Sequence, residues 1–381
     1  MLSDYFPNVD EMLGEIKTEN ASQLLNSILY RNSPPGPSGI PSLDKALSLI
    51  SPSGLSLNRG DVIEIQGPAA SGKTTLVYQF ALKCILPVET HIPGSEGNKK
   101  IKLDLGGWGK AAVILDNDMR WDILCLDTLL NNYLKPRLCD YLSGEELQKH
   151  LEELVKESLC RVHVFRPTSS ASVAATLLRL PTYHRQHMPS QEIALLCVDS
   201  MSSFYWTDRY TLEQRIIGST SDKSELKYPM SRILFALQEL RLDLGPVIVL
   251  TNWGLSHLTS SEDIENDSAD ATQGELEHNL LYRQHLYPFP APFESPPRLI
   301  PNAHKMPPIT HHITLLPRPN DSARHNMKYL MKISDPDISA QEHAVGTEIR
   351  GIIRGVETGR KSTFSINRGE YTWSEVQTST P

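Results

Sequence analysis

The chain has 381 residues, 39% of them hydrophobic and 22% charged, with a formal net charge of −8. This is the composition of an ordinary globular protein, large enough for one big domain or two modest ones. No apolar run approaches the roughly 20 residues that span a bilayer, so no membrane association is expected. The acidic balance is not that of a nucleic-acid binder, and any DNA contact must come from a local patch or through a partner. Five cysteines without a C-x-x-C pair indicate reduced thiols, in cytosol or nucleus. The first residues lack the basic-then-apolar pattern of a signal peptide.

Residues before about Asn20 show no structural pattern. Ala21, Leu24, Leu25, Ile28 and Leu29 then follow the spacing of a short amphipathic helix, with Asn20 as its N-cap. Its apolar face either packs on its own domain or receives a partner. Ser33 to Gly39 is a linker by composition, rich in Pro and Gly. One or two helical turns follow from Ile40 to Leu47.

Val62, Ile63 and Ile65 read as a buried strand, and Leu76, Val77, Phe80, Ala81 and Ile85 as the helix after it. Between them lie Gly67, Pro68, Ala69, Ala70, Ser71, Gly72, Lys73, Thr74 and Thr75, a G-x-x-x-x-G-K-T phosphate loop. Gly67 and Gly72 allow successive amides to turn inward, and the helix start adds its positive dipole end to the same point. Lys73 would reach the β- and γ-phosphates of ATP, and the Thr74 hydroxyl would ligate Mg²⁺.

The piece from Pro87 to about Gly109 is rich in Gly and Lys and reads as a surface insertion. Ala111–Leu115 is a second apolar strand, ending in Asp116, Asn117 and Asp118. Helical patterns cover Trp121 to Leu134, Ser143 to about Leu159 (with a capping box) and Ser170 to Leu180. Strands are expected at Val162–Phe165, Ile193–Asp199 and Val247–Leu250, with a helix at Met230–Leu242. Alternating helices and wholly apolar strands imply a parallel sheet between helix layers, an α/β fold. The stretch from 254 to 310, acidic and then Pro-rich, reads as a long mobile insertion. Short strand candidates resume at His312–Leu316, Tyr329–Ile333, Ile349–Ile353 and Thr363–Ile366, as an antiparallel edge.

A nucleotide loop needs a carboxylate for Mg²⁺ at the end of a neighbouring strand, and Asp199 closes the most apolar one. Asp118 is the candidate to orient the attacking water, with Asp116 as its rival and a plain Asx-turn as the alternative to both.

The phosphate loop, the Leu115–Asp118 and Leu195–Ser200 stretches and the strand ending Thr251-Asn252 together resemble the RecA-like recombinase family. Lys83–Pro87 and Asp199–Arg209, with its run Phe204-Tyr205-Trp206, are similar to the eukaryotic recombinase paralogues within it. The resemblance covers about residues 20 to 255 and weakly the C-terminal strands. It implies a P-loop NTPase core over 40–253; the helix and linker before it (1–39) and the insertion after it (254–310) are read from the sequence pattern, and the resemblance does not explain residues 256 to 308. C-terminal strands in 311–381 would complete the sheet. It further implies a nuclear subunit of a hetero-oligomer of recombinase paralogues, assisting a recombinase filament in repairing double-strand breaks and cross-links by homologous recombination. Single-stranded or branched DNA would be met only within that complex. An autonomous DNA-stimulated ATPase is the alternative.

Three departures from the active family members point to slow or absent hydrolysis. Asp118 stands where they carry Glu, one methylene longer. Trp253, which cannot accept a hydrogen bond, stands where they carry Gln. Their helical N-terminal DNA-binding domain has no counterpart. Thr207 to Lys227 corresponds to the first DNA-binding loop and has as many acids as bases among Asp208, Arg209, Glu213, Arg215, Asp222, Lys223, Glu225 and Lys227. Its neighbouring aromatics serve either packing or base stacking.

Overall fold

The computed structural model describes residues 21, 24, 25, 28, 35–93, 100–218, 229–255, 281–286, 289, 306–316, 348–356, 358–369 and 372–375. Its helices are α1 (Pro41–Ile50), α2 (Lys73–Ile85), α3 (Ile123–Leu138), α4 (Gly144–Leu159), α5 (Ser170–His187), α6 (Tyr205–Gly218) and α7 (Pro229–Leu244). Its strands are β1 (Val62–Gly67), β2 (Glu89–Pro93), β3 (Lys100–Asp104), β4 (Ala111–Asp116), β5 (Val162–Phe165) and β6 (Ile193–Asp199). They continue with β7 (Val247–Trp253), β8 (His311–Leu315), β9 (Glu348–Gly355), β10 (Lys361–Gly369) and β11 (Thr372–Glu375).

Nine strands form one sheet in the order β11-β10-β9-β8-β1-β7-β6-β4-β5. The six from β8 to β5 are parallel, and β9 to β11 are antiparallel. β1, β4 and β6 are buried along their whole length, which is why they read as unbroken apolar runs. Alternate residues feed two cores. Ile63, Ile65, Ala112 and Ile114 pack under α1 to α4, while Val62, Val113 and Leu115 pack under α5 and α7. The expected fold, a mostly parallel sheet between helix layers with antiparallel strands at its C-terminal side, is the fold observed. No described helix is long and apolar enough to cross a membrane.

Several local expectations need correction. β8 is not wholly an antiparallel edge strand: it runs antiparallel to β9 but parallel to β1, with Ile63 opposite His311. A long connection such as 254–310 can carry the chain back to the same end of the sheet, as a parallel pairing requires. The candidate strand Tyr329–Ile333 lies outside the described residues, as does everything before residue 21. The Gly- and Lys-rich piece after α2 contains a hairpin, β2–β3, with Ile92 opposite Ile101. Its strands are too short and polar to stand out from composition. Helix α5 runs through Pro181 to His187 rather than stopping at Leu180. Ser143 caps α4 by position without a side-chain hydrogen bond. The segment read as a loop from Thr207 is helix α6 as far as Gly218.

The Pro-rich linker is held against the core over residues 35–39. Trp108 Nε1 donates to the Pro37 carbonyl at 3.0 Å, and Asp44 accepts from the Ser38 amide at 2.7 Å. Gly39 sits against the stem of buried Lys83, where a side chain would overlap it. Within 254–310, Tyr282, Leu286, Phe289, Met306 and Ile309 are buried.

Candidate nucleotide site

The loop between β1 and α2 is built on two glycines with different duties. Gly72, at φ 102°, holds the left-handed turn at the start of α2, where a side chain would also run into Ile349. A Cβ on Gly67 would stand 2.7 Å from Ser71 Oγ and 3.0 Å from Leu315 Cβ, so only glycine keeps the loop closed there. Pro68, Ala69 and Ala70 form the outer rim, and Ser71 lies buried beneath it. Among the described residues, Ser71 Oγ has no hydrogen-bond partner. A buried hydroxyl without a partner, at the start of a helix and beside a lysine, is chemistry suited to an anion.

Lys73 folds back over this cradle. Its Nζ donates to the carbonyls of Gly67 at 2.8 Å and Pro68 at 2.7 Å. Burial lowers its pKa to about 8, Asp199 and Asp118 pull it back up, and Arg120 lowers it further. Thr74 Oγ1, one residue on, donates to Asp199 Oδ2 at 2.7 Å, and Thr251 Oγ1 donates to Asp199 Oδ1 at 2.5 Å. Burial pushes the Asp199 carboxyl up, against the two hydroxyl hydrogen bonds. Asp118 adds to the upward push, and Lys73 opposes it. A hydroxyl and a carboxylate in contact beside a phosphate cradle are the donor set Mg²⁺ uses in phosphate loops. Thr75, the last residue of the motif, is partly buried in the first turn of α2.

Asp116 and Asp118 have different surroundings. Asp116 is 1% exposed and accepts from the amides of Arg120 at 2.9 Å and Trp121 at 3.2 Å. Arg166 Nε closes on the same carboxylate at 3.2 Å, so Asp116 fixes the turn after β4. Asp118 is half-buried and lies close enough to Lys73 and Asp199 to act on both. One of its oxygens accepts from Ser203 Oγ at 2.5 Å. A second tie joins the same two loops, Asn117 Nδ2 to the Ser200 carbonyl at 2.9 Å.

Trp253, at the end of β7, lies parallel to the His285 ring at 6.5 Å between centroids. Its neighbour Gly254 donates to the Gly67 carbonyl at 2.8 Å, tying this strand end to the phosphate loop. The aromatic run divides: Phe204 and Tyr205 pack on the core beneath α7, and Trp206 is 58% exposed. Arg209 is bonded to Glu213 at 2.8 Å and to Tyr205 Oη at 3.2 Å, so its charge is partly spent within α6.

Ser203 and Thr251 escape any motif search, since single hydroxyls carry no pattern. A larger omission is the polar line on the second face of the sheet. Glu64 of β1 accepts from Asn252 Nδ2 at 2.7 Å and Gln284 Nε2 at 3.3 Å, and meets His312 Nδ1 at 2.9 Å. The line continues through Thr314 Oγ1 to Arg354. Polar residues at alternate positions of an otherwise apolar strand, Glu64 and Gln66, were the available signal.

No family model matches the chain. It is 25% identical over 290 residues to a DNA repair protein XRCC2 homolog of Arabidopsis thaliana, covering 71% of this chain and 72% of the relative. It is 33% identical over 150 residues to DNA repair protein XRCC2 of Mus musculus, covering 39% of this chain and 43% of the relative. That second match spans less than half of the mouse protein. Strand order and both relatives support the reading of the chain as an XRCC2-like paralogue of the RecA-like family.

Proposed function

We propose that this chain is an ATP-binding subunit of a nuclear assembly of recombinase paralogues that supports a recombinase filament in DNA repair by homologous recombination. The observation that carries the nucleotide part is the contact of Thr74 with Asp199 beside Lys73, at the mouth of a strand–loop–helix unit. The repair role rests on similarity to relatives named as DNA repair proteins. Titration of the purified chain with Mg-ATP tests the first part. Recovery of paralogues with the tagged chain from damaged cells tests the second.

The assembly part has its own support. Ala21, Leu24, Leu25 and Ile28 are helical, and Leu25 and Ile28 remain 56% and 49% exposed. An apolar helical face with half of its area in water is the kind of surface a neighbouring subunit covers. Leu25→Glu combined with Ile28→Glu is expected to abolish co-purification of the paralogues and to leave the melting temperature of the chain unchanged. Retention of the partners would place the contact elsewhere, and unfolding would show the helix to be core.

The alternative, an autonomous DNA-stimulated ATPase, draws on Asp118 facing the cradle. Turnover by the isolated chain, measured with and without single-stranded DNA, separates the two. Turnover of several per second, in the range of working enzymes, would favour the alternative.

A further inference from the structure

Asp118 is the carboxylate best placed to take a proton from water beside the cradle, yet it is already engaged. Ser203 Oγ donates to Asp118 Oδ1 at 2.5 Å. Ser203 is itself anchored: it lies 3.0 Å from Ser200 Oγ and 2.9 Å from the Ser200 carbonyl. A hydroxyl has one proton, and both the Asp118 carboxylate and the Ser200 carbonyl can take it; the charged acceptor forms the stronger bond. Ser200 in turn follows Asp199, and its carbonyl receives Asn117. The turn carrying Asp118 is therefore fastened at two successive residues to the segment that begins α6.

From this geometry we infer that Ser203 is a positioning residue that restrains Asp118, holding one carboxylate oxygen away from the attacking water. The inference rests on the nucleotide site proposed above. Hydrolysis requires the water oxygen to bond to the γ-phosphorus while the bond to the β–γ bridging oxygen breaks, its electron pair leaving with ADP. A proton leaves the water, and Asp118 is its acceptor. A carboxylate oxygen that already accepts a short hydroxyl bond is a weaker acceptor, and its rotamer is set by the serine rather than by the water. Asp118 is also one methylene shorter than Glu, so it has little reach with which to escape the restraint. Ser203 thus gives a second cause of slow turnover, distinct from side-chain length and removable by one substitution.

Ser203→Ala is expected to raise single-turnover ATP hydrolysis by about ten-fold, a small share of the 10²–10⁴ range for general-base catalysis. Mg-ATP affinity should stay within about two-fold of wild type, since among the described residues the Ser203 hydroxyl bonds to Ser200 and Asp118 and not to the phosphate loop. In the nucleotide-free chain, amide hydrogen exchange across residues 117–119 should quicken, reporting release of the turn without any turnover. Ser203→Thr, which keeps the hydroxyl, should behave as wild type, and adding Asp118→Asn to Ser203→Ala should cancel the gain. Ser203→Cys serves the same test should alanine unsettle the start of α6. Normal nucleotide binding with unchanged or slower turnover in Ser203→Ala would overturn the inference, as would a gain that survives Asp118→Asn. A wild-type chain that fails to bind Mg-ATP would instead remove the nucleotide site, and this inference with it.

Discussion

Replacing Glu64 with alanine is expected to destabilise the fold by about 3–5 kcal/mol, the range for removing one member of a buried pair. Glu64 is fully buried in the middle of the sheet, between β7 and β8. Its two oxygens collect Asn252, Gln284 and His312 from β7, the 281–286 segment and β8. Alanine withdraws the acceptor from all three donors at once, in a place water does not reach, and leaves a cavity besides. Glu64→Gln keeps the volume and one acceptor oxygen, and should lose clearly less. Urea unfolding of the three proteins measures the difference. A loss below about 1 kcal/mol for alanine would mean that the donors find other partners, as exposed pairs do. Because Asn252 follows Thr251, the partner of Asp199, loss of Glu64 should also weaken Mg-ATP binding before it unfolds the chain.

The same strand shows where sequence reasoning works and where it stops. The strand–loop–helix unit around Gly67–Thr75 is legible because the G-x-x-x-x-G-K-T pattern fixes residue types at fixed spacing: glycines where the backbone must turn, then Lys73 and Thr74. The parallel core was legible because strands covered on both faces leave unbroken apolar runs, as Ile193–Asp199 does. Glu64 was passed over for the opposite reason. One polar residue within an apolar run says nothing of its partners, and these come from positions 252, 284 and 312. The parallel pairing of β8 was hidden for a related reason, since direction depends on how residues 254–310 return and not on the five residues His311–Leu315. Sequence puts Asp118 ahead of Asp116 without the contacts that distinguish them, because one ends β4 and the other stands two residues beyond it. Only the backbone amides of Arg120 and Trp121, both closing on Asp116, separate the structural carboxylate from the one facing the cradle.

Lys73→Ala should weaken Mg-ATP binding by about ten-fold or more, corresponding to roughly 1.5–3 kcal/mol for a charge-assisted contact. Pro68 and Gly67 offer Lys73 two carbonyl oxygens at 2.7 and 2.8 Å, so the ammonium is already poised over the cradle and has little ordering left to lose. The wild-type site carries a further mark in its pH dependence. Burial brings the Lys73 pKa from 10.5 down to about 8 in the nucleotide-free protein. A polyphosphate favours the charged form, so the bound state holds this proton more tightly than the free state, and binding takes up a proton above that pH. Affinity should therefore be flat below about pH 7.5 and fall as pH rises through about 8, by at most about ten-fold per pH unit. Lys73→Ala lacks the group and should lose the step as well as the affinity. Folding carries the same proton with the opposite sign. The unfolded chain keeps Lys73 protonated to about 10.5, so the nucleotide-free fold gains stability, relative to Lys73→Ala, as pH rises from about 8 towards that value. Calorimetric titration of both proteins across this range gives the answer directly. Equal affinities, or a wild-type profile without the step, would show that Lys73 does not face phosphate.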